Sequence, residues 1–188
     1  MRSAKAVAGK AVAGLVLLAG LLGALSPGLA QSGESLRLDP QRRAALAALP
    51  LLSGPPPGGT QLQDRIVVLA FFASWCPPCN PEFDNLKEID RRYREAGVSV
   101  VAVNIFEGYF GGTDRTRLAG FLADKSADFT VLGEGEAVAS LFGEVDRIPT
   151  VFVFGRDGKP RLHFVHARGA SKTHASLEEL EAAVRSAL

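Results

Sequence analysis

The chain carries two cysteines, Cys76 and Cys79, in the run Phe71-Phe72-Ala73-Ser74-Trp75-Cys76-Pro77-Pro78-Cys79. An apolar, strand-like stretch precedes them and an amphipathic, helix-like one follows. A C-x-x-C pair at such a junction reads as a redox dithiol. Backbone N–H groups and the positive end of a helix dipole lower the pKa of a thiol there, so Cys76 is the expected nucleophile. Cys79, deeper in the helix and more shielded, suits the resolving thiol. Pro77 and Pro78 carry no N–H and fix the turn between them. A purely structural disulfide would close a very small loop and constrain the unfolded chain only modestly. A zinc site would need more ligands than two thiolates.

Four other groups are candidates for the same site. Trp75 reads either as a core aromatic or as part of a flat apolar collar around the disulfide. Pro149, in Ile148-Pro149-Thr150 just before an apolar stretch, fits a cis proline in a tight turn or an ordinary trans proline opening a strand. In the cis form it would lie against the cysteine pair, with the backbone of Ile148 free to hydrogen-bond an extended partner segment. Glu82 follows Cys79 by three residues and shares its helix face. It could move protons to and from Cys79, or simply be a solvated first-turn carboxylate. His163, His166 and His174 have no ligand-like spacing and are expected at surface or edge positions.

The elements that must place these groups are legible in the hydrophobic pattern. Residues 66–72 and 98–105 are nearly continuous apolar runs, as expected of strands buried on both faces. Between them, residues 77–96 carry Phe83, Leu86, Ile89 and Tyr93 at helical spacing and stop at Gly97. The three form a β-α-β unit with parallel strands and a right-handed crossover. A loop at 106–112, rich in glycine and aromatics, leads to a helix over 114–125 capped by Thr113 or Asp114. A short strand at 129–132 and a short helix at 136–142 follow. Residues 151–154 and 161–165 are joined by Gly155-Arg156-Asp157-Gly158, a hairpin signal, and a final amphipathic helix covers 176–187. Upstream, Asp39 and Pro40 are placed to start a short helix over 41–49, and the Pro- and Gly-rich stretch 53–59 reads as a stiff surface connection.

Residues 1–30 read as a cleaved signal peptide. Arg2, Lys5 and Lys10 precede an uncharged apolar run of about fifteen residues, and Gly28-Leu29-Ala30 offers small residues for cleavage after Ala30. An N-terminal membrane anchor is the weaker alternative, because the run is short of the roughly twenty residues that cross a bilayer. Cleavage takes three of the 21 basic residues and none of the 20 acidic ones, so the net charge moves from +1 to about −2. With no basic block, nucleic acid is not an expected partner. The expected organisation is a leader at 1–30, an extension with a short helix at 31–59, and one domain at 60–188.

Taken together, residues 68–80 with Glu82, the strand Val98-Ser99-Val100-Val101-Ala102-Val103-Asn104, and Ile148-Pro149-Thr150 running into Val151-Phe152-Val153-Phe154-Gly155-Arg156-Asp157-Gly158 resemble the TlpA/ResA/CcmG group of exported thioredoxin-like proteins. The resemblance implies an α/β, thioredoxin-like fold, a central mixed β-sheet flanked by helices on both faces. It also implies Cys76 as nucleophile, Cys79 as resolving thiol, Pro149 in cis and Glu82 as the active-site acid; Trp75, Ile148 and Thr150 are the residues expected to border the substrate. Three positions depart from it. Ala70 replaces the buried Asp that ordinary thioredoxins place six residues before the nucleophile. Asp84 stands where relatives have a proline, and Pro81 comes earlier, where it could kink the helix and turn Glu82.

The expected function is therefore a periplasmic thiol:disulfide oxidoreductase that reduces disulfides of specific exported proteins, such as apocytochrome c or copper-assembly proteins. Its expected electron donor is a membrane thiol reductase; no cofactor or metal is called for, and a monomer is expected. The alternatives are a disulfide donor of the same fold and a non-catalytic module holding Cu(I) between the two thiolates.

Overall fold

The computed structural model describes residues 36–111 and 115–188. The expected leader, the 31–35 part of the extension and the helix cap at Thr113 or Asp114 lie outside the described residues. No helix among the described residues is long and apolar enough to cross a membrane.

The elements run α1 (Pro40–Ala47), β1 (Leu51–Ser53), α2 (Gly59–Leu62), β2 (Ile66–Phe72), α3 (Cys79–Tyr93), β3 (Val98–Asn104), α4 (Arg115–Lys125), β4 (Thr130–Leu132), α5 (Glu136–Ala139) continued by a 3-10 turn (Ser140–Phe142), β5 (Thr150–Phe154), β6 (Pro160–Val165) and α6 (Leu177–Arg185). Six strands form one mixed sheet in the order β1-β4-β3-β2-β5-β6. β2, β3 and β4 are parallel, whereas β5 pairs antiparallel with β2 and β6, and β1 antiparallel with β4.

β2 and β3 are buried at every position, which is why their sequences are apolar without alternation. Successive side chains of a strand point to opposite faces, and Phe71 and Phe72 use this to anchor two aromatic clusters. Phe72 packs on Phe83 of α3 and Phe121 of α4. Phe71 packs on Phe142 and Phe152 on the opposite face. Helices therefore cover both faces, α3 and α4 on one and the α5 segment on the other.

The sequence pattern misses one strand. Leu51–Ser53, read as part of a break, forms the edge strand β1 beside β4. Two apolar residues next to a proline carry too little periodicity to signal a strand; tertiary pairing creates it. The stretch that follows does not stand off the surface. Gly54 has φ of 78°, and a Cβ there would lie 2.0 Å from the Phe129 carbonyl oxygen, so only glycine lets the chain pass this close to β4. Thr130 Oγ1 then donates to the Pro55 carbonyl at 2.7 Å.

α1 is capped as its sequence predicts, with Asp39 Oδ1 accepting from the Arg42 N–H at 2.8 Å and Pro40 in the first turn. It joins the face opposite α3, where the Arg42 guanidinium lies over Phe142 and donates to the Leu141 carbonyl. Leu46 is fully buried beneath α1. Leu46→Ala is expected to cost about 2–5 kcal/mol in urea unfolding. A loss below about 1 kcal/mol would mean that α1 does not belong to the cooperative core.

Candidate functional site

The site lies at the carboxyl end of the central strand β2. After Phe72 the chain turns through Ala73-Ser74-Trp75, with the Cys76 N–H donating to the Ala73 carbonyl at 3.2 Å. α3 starts at Cys79 rather than at Pro77, because the two prolines form a separate turn ahead of it. Cys76 and Cys79 are joined in a disulfide with Cα atoms 5.3 Å apart. Both are buried, Cys76 retaining 2% exposure and Cys79 none.

The turn is poor in free donors, which corrects one expectation from the sequence. Pro77, Pro78 and Pro81 have no N–H. The N–H groups of Cys79 and Asn80 donate to the carbonyls of Cys76 and Pro77 at 3.1 and 3.2 Å. Stabilisation of a Cys76 thiolate thus falls mainly to the positive end of α3 and less to direct N–H donors.

α3 runs without interruption through Pro81. In the first turn of a helix a proline gives up an N–H that has no intrahelical acceptor anyway, so no bond is lost. Asp84 also has a structural role: with the Asn80 carbonyl it receives the buried Lys125 ammonium, both at 3.0 Å, tying the end of α4 to the start of α3.

Glu82 is buried at 1% exposure, not solvated. Its Oε2 accepts from the Ala175 N–H at 2.8 Å, just ahead of α6. Its Oε1 is buried with no hydrogen-bond partner among the described residues. Burial pushes the carboxyl up to about 8, only partly offset by the Ala175 N–H; nearby Glu179 adds to the rise and Lys172 opposes it. A carboxyl of this kind exists in both protonation states near neutral pH.

The peptide bond between Ile148 and Pro149 is cis. Register places it: Thr150 opposes Phe71 across the β2–β5 pair, so Ile148 and Pro149 extend past the end of β2 from which the redox turn departs. The Thr150 hydroxyl turns back to the Arg147 carbonyl at 2.8 Å, closing the loop around the proline. Contrary to the expectation from the sequence, the backbone of Ile148 is not wholly free. His166 Nδ1 lies 3.2 Å from the Ile148 carbonyl oxygen, and the His166 backbone N–H donates to the Pro149 carbonyl at 3.1 Å. Because a carbonyl only accepts, Nδ1 must carry the proton. His166 thus braces the cis-proline loop, a role its spacing from the other histidines could not reveal. His163 stacks on Phe152 and His174 contacts Thr173.

Glu107, which no motif singles out, joins the redox turn to the end of β3. Its Oε1 accepts from the Ser74 N–H at 2.6 Å and from Asn104 Nδ2 at 2.7 Å, and its Oε2 from the Ser74 hydroxyl at 2.8 Å. Trp75 Nε1 donates to the Phe106 carbonyl at 2.7 Å, so the indole is fixed beside the loop after β3. The available signal was an acidic residue within an otherwise apolar and glycine-rich loop that follows a buried strand.

A C-x-x-C disulfide where β2 gives way to α3, at the same end of the sheet as a cis proline ahead of an antiparallel β5, defines a protein of the thioredoxin-like class. The Redoxin family profile matches residues 59–181, and the chain belongs to that family. It is 30% identical over 101 residues to the thiol-disulfide oxidoreductase ResA of Bacillus thuringiensis strain Al Hakam, covering 52% of this chain and 53% of that protein. The match thus spans about half the length of that relative. A Chlorobium tepidum structure described as a thiol:disulfide interchange protein DsbE is 29% identical, with a TM-score of 0.58 over 74% of this chain and 90% of that one. A secreted Mycobacterium tuberculosis disulfide oxidoreductase shares the fold at 22% identity, with a TM-score of 0.59 over 76% of this chain and 98% of its own.

Proposed function

We propose that this protein is an exported thiol:disulfide oxidoreductase that works as a reductant of selected protein disulfides. The observation that carries the reading is the Cys76–Cys79 disulfide at the end of β2 with buried Glu82 one helical turn beyond Cys79. In the reduced protein the Cys76 thiolate attacks one sulfur of the substrate disulfide. A Cys76–substrate disulfide forms and the other substrate sulfur leaves as a thiolate that takes up a proton. Cys79, giving its proton to the Glu82 carboxylate, then attacks the Cys76 sulfur and releases the second substrate thiol. Two electrons pass to the substrate and the Cys76–Cys79 disulfide is restored.

Trp75, Ile148, Pro149 and Thr150 border the approach of the substrate. ResA and DsbE relatives, and the secreted mycobacterial protein of the same fold, support an exported location. Apocytochrome c and copper-assembly proteins are the candidate substrates. Outside the cytoplasm the surroundings are oxidising, so the dithiol requires a donor, for which a membrane thiol reductase is the candidate.

The donor-poor turn supports this direction. A C-x-x-C pair is a strong oxidant when its reduced form is heavily stabilised. Here Pro77 and Pro78 offer no N–H and those of Cys79 and Asn80 are engaged, so that stabilisation is limited. The equilibrium reduction potential of the protein, measured in thiol redox buffers, is expected at about −250 mV or lower. A value near about −120 mV would overturn the direction and make the protein a disulfide donor.

A further inference from the structure

We propose that Trp75, Tyr109 and Phe110 form an aromatic lip beside Cys76, held in place by Glu107, that selects extended substrate segments carrying an aromatic or large aliphatic side chain next to the target cysteine. The proposal rests on the oxidoreductase reading and deepens it. Tyr109 and Phe110 are 71% and 70% exposed, the only exposed Phe, Tyr or Trp among the described residues. They are not loose. Tyr109 stacks on Trp75 with ring centroids 5.3 Å apart, Phe110 meets Trp75 edge-on at 5.0 Å, and the two contact each other at 5.1 Å.

The loop beneath them is fastened on both sides. Glu107 ties Ser74, two residues before the nucleophile, to Asn104 at the end of β3. Phe106 adopts a left-handed conformation with φ of 62°, its carbonyl receiving the Trp75 indole and its N–H donating to Glu136 at 2.9 Å. The redox turn, the end of β3 and α5 thereby agree on where two aromatic rings stand in water. Glu107 acts on the reaction only through these neighbours and is a positioning residue.

The neighbourhood also constrains the occupant. The lip is continuous with the exchange site, because Trp75 is bonded in sequence to Cys76. Cys76 is nearly covered, so a target sulfur has to reach it along a narrow approach, which suits an extended segment better than the rigid surface of a folded domain. As that cysteine docks, its neighbouring side chain falls over the lip. Face and edge contacts there favour aromatic and large apolar groups.

The test uses the reduced protein and two peptides that differ at one position, each with a single cysteine in mixed disulfide with glutathione and flanked by either Phe or Gly. In a single turnover the Phe peptide is expected to react about 3–10-fold faster, with the difference in the half-saturating peptide concentration rather than in the limiting rate. The double variant Tyr109→Ala/Phe110→Ala is expected to bring the ratio to about one. Glu107→Ala should also collapse it. Glu107→Gln should retain it, because the amide oxygen still accepts from Ser74 and Asn104 while its NH2 faces the Ser74 hydroxyl. Equal rates in the unaltered protein, or a preference surviving the double variant, would overturn the lip. Glu107→Gln behaving like Glu107→Ala would overturn the positioning role in favour of a role for the charge. No reaction with either peptide would defeat the oxidoreductase reading, and the lip with it.

Discussion

Cys79→Ser is expected to convert the protein into a trap that holds its substrates on Cys76. The variant can complete the first exchange but has no second thiol to release the partner. A mixed disulfide should therefore accumulate, visible by mass spectrometry as the protein plus one reduced-size peptide or partner and reversed by dithiothreitol. Cys76→Ser should instead drop exchange to the background of free thiols. The asymmetry has a structural origin. Cys76 lies on the turn outside α3 and keeps a trace of exposure, whereas Cys79 is its first residue and has none. Substrate captured on Cys79 in Cys76→Ser at a rate comparable to that on Cys76 would reverse the assigned order of attack. The trap would also identify natural partners directly, since the captured species are those the site accepts.

Glu82→Gln is expected to remove a large pH dependence of stability. The carboxyl is raised from 4.5 to about 8 in the folded protein. Below about pH 4.5 it is protonated in both folded and unfolded chains and contributes no pH dependence. Between about 4.5 and 8 the folded state keeps a proton that the unfolded state has lost, so stability falls as pH rises; above 8 the loss is complete. The size is on the order of 4 kcal/mol across that window. Denaturant unfolding at pH 5 and pH 8.5 should show that loss in the parent and its near-absence in Glu82→Gln. The same variant should lose an inflection near pH 8 in the rate of mixed-disulfide resolution, because the amide cannot accept the Cys79 proton. Parallel stability profiles for the two proteins would show that Glu82 is not a titrating buried acid.

Both expectations began with residues visible in the sequence, but to different extents. Cys76 and Cys79 were legible because chemistry and patterning coincide there, with the cysteine pair sitting where a continuous apolar run gives way to helical spacing. Glu82 was only half legible. Its spacing from Cys79 placed it on the right helix face, yet spacing alone favoured a solvated carboxylate; the Ala175 segment, some ninety residues later, closes over it. The parallel β2 and β3 followed from the apolar runs and the pairing of β5 with β6 from the hairpin turn, whereas the place of β5 beside β2 did not. β1 did not, because a three-residue strand exists only through its pairing with β4.

The chain on its own determined the class of chemistry and the skeleton that carries it, because thiols, prolines and hydrophobic period are local properties that need no partner to be read. What only the tertiary structure decided are the long-range contacts. Glu107 reaches back to Ser74 across 33 positions, and His166 to Ile148 across 18. Their meaning depends on which polar groups the fold brings within hydrogen-bond distance, and burial then sets the energy of each, as it does for the carboxyl of Glu82. Polar residues in loops carry no periodic signature, so their partners become visible only when the chain is closed.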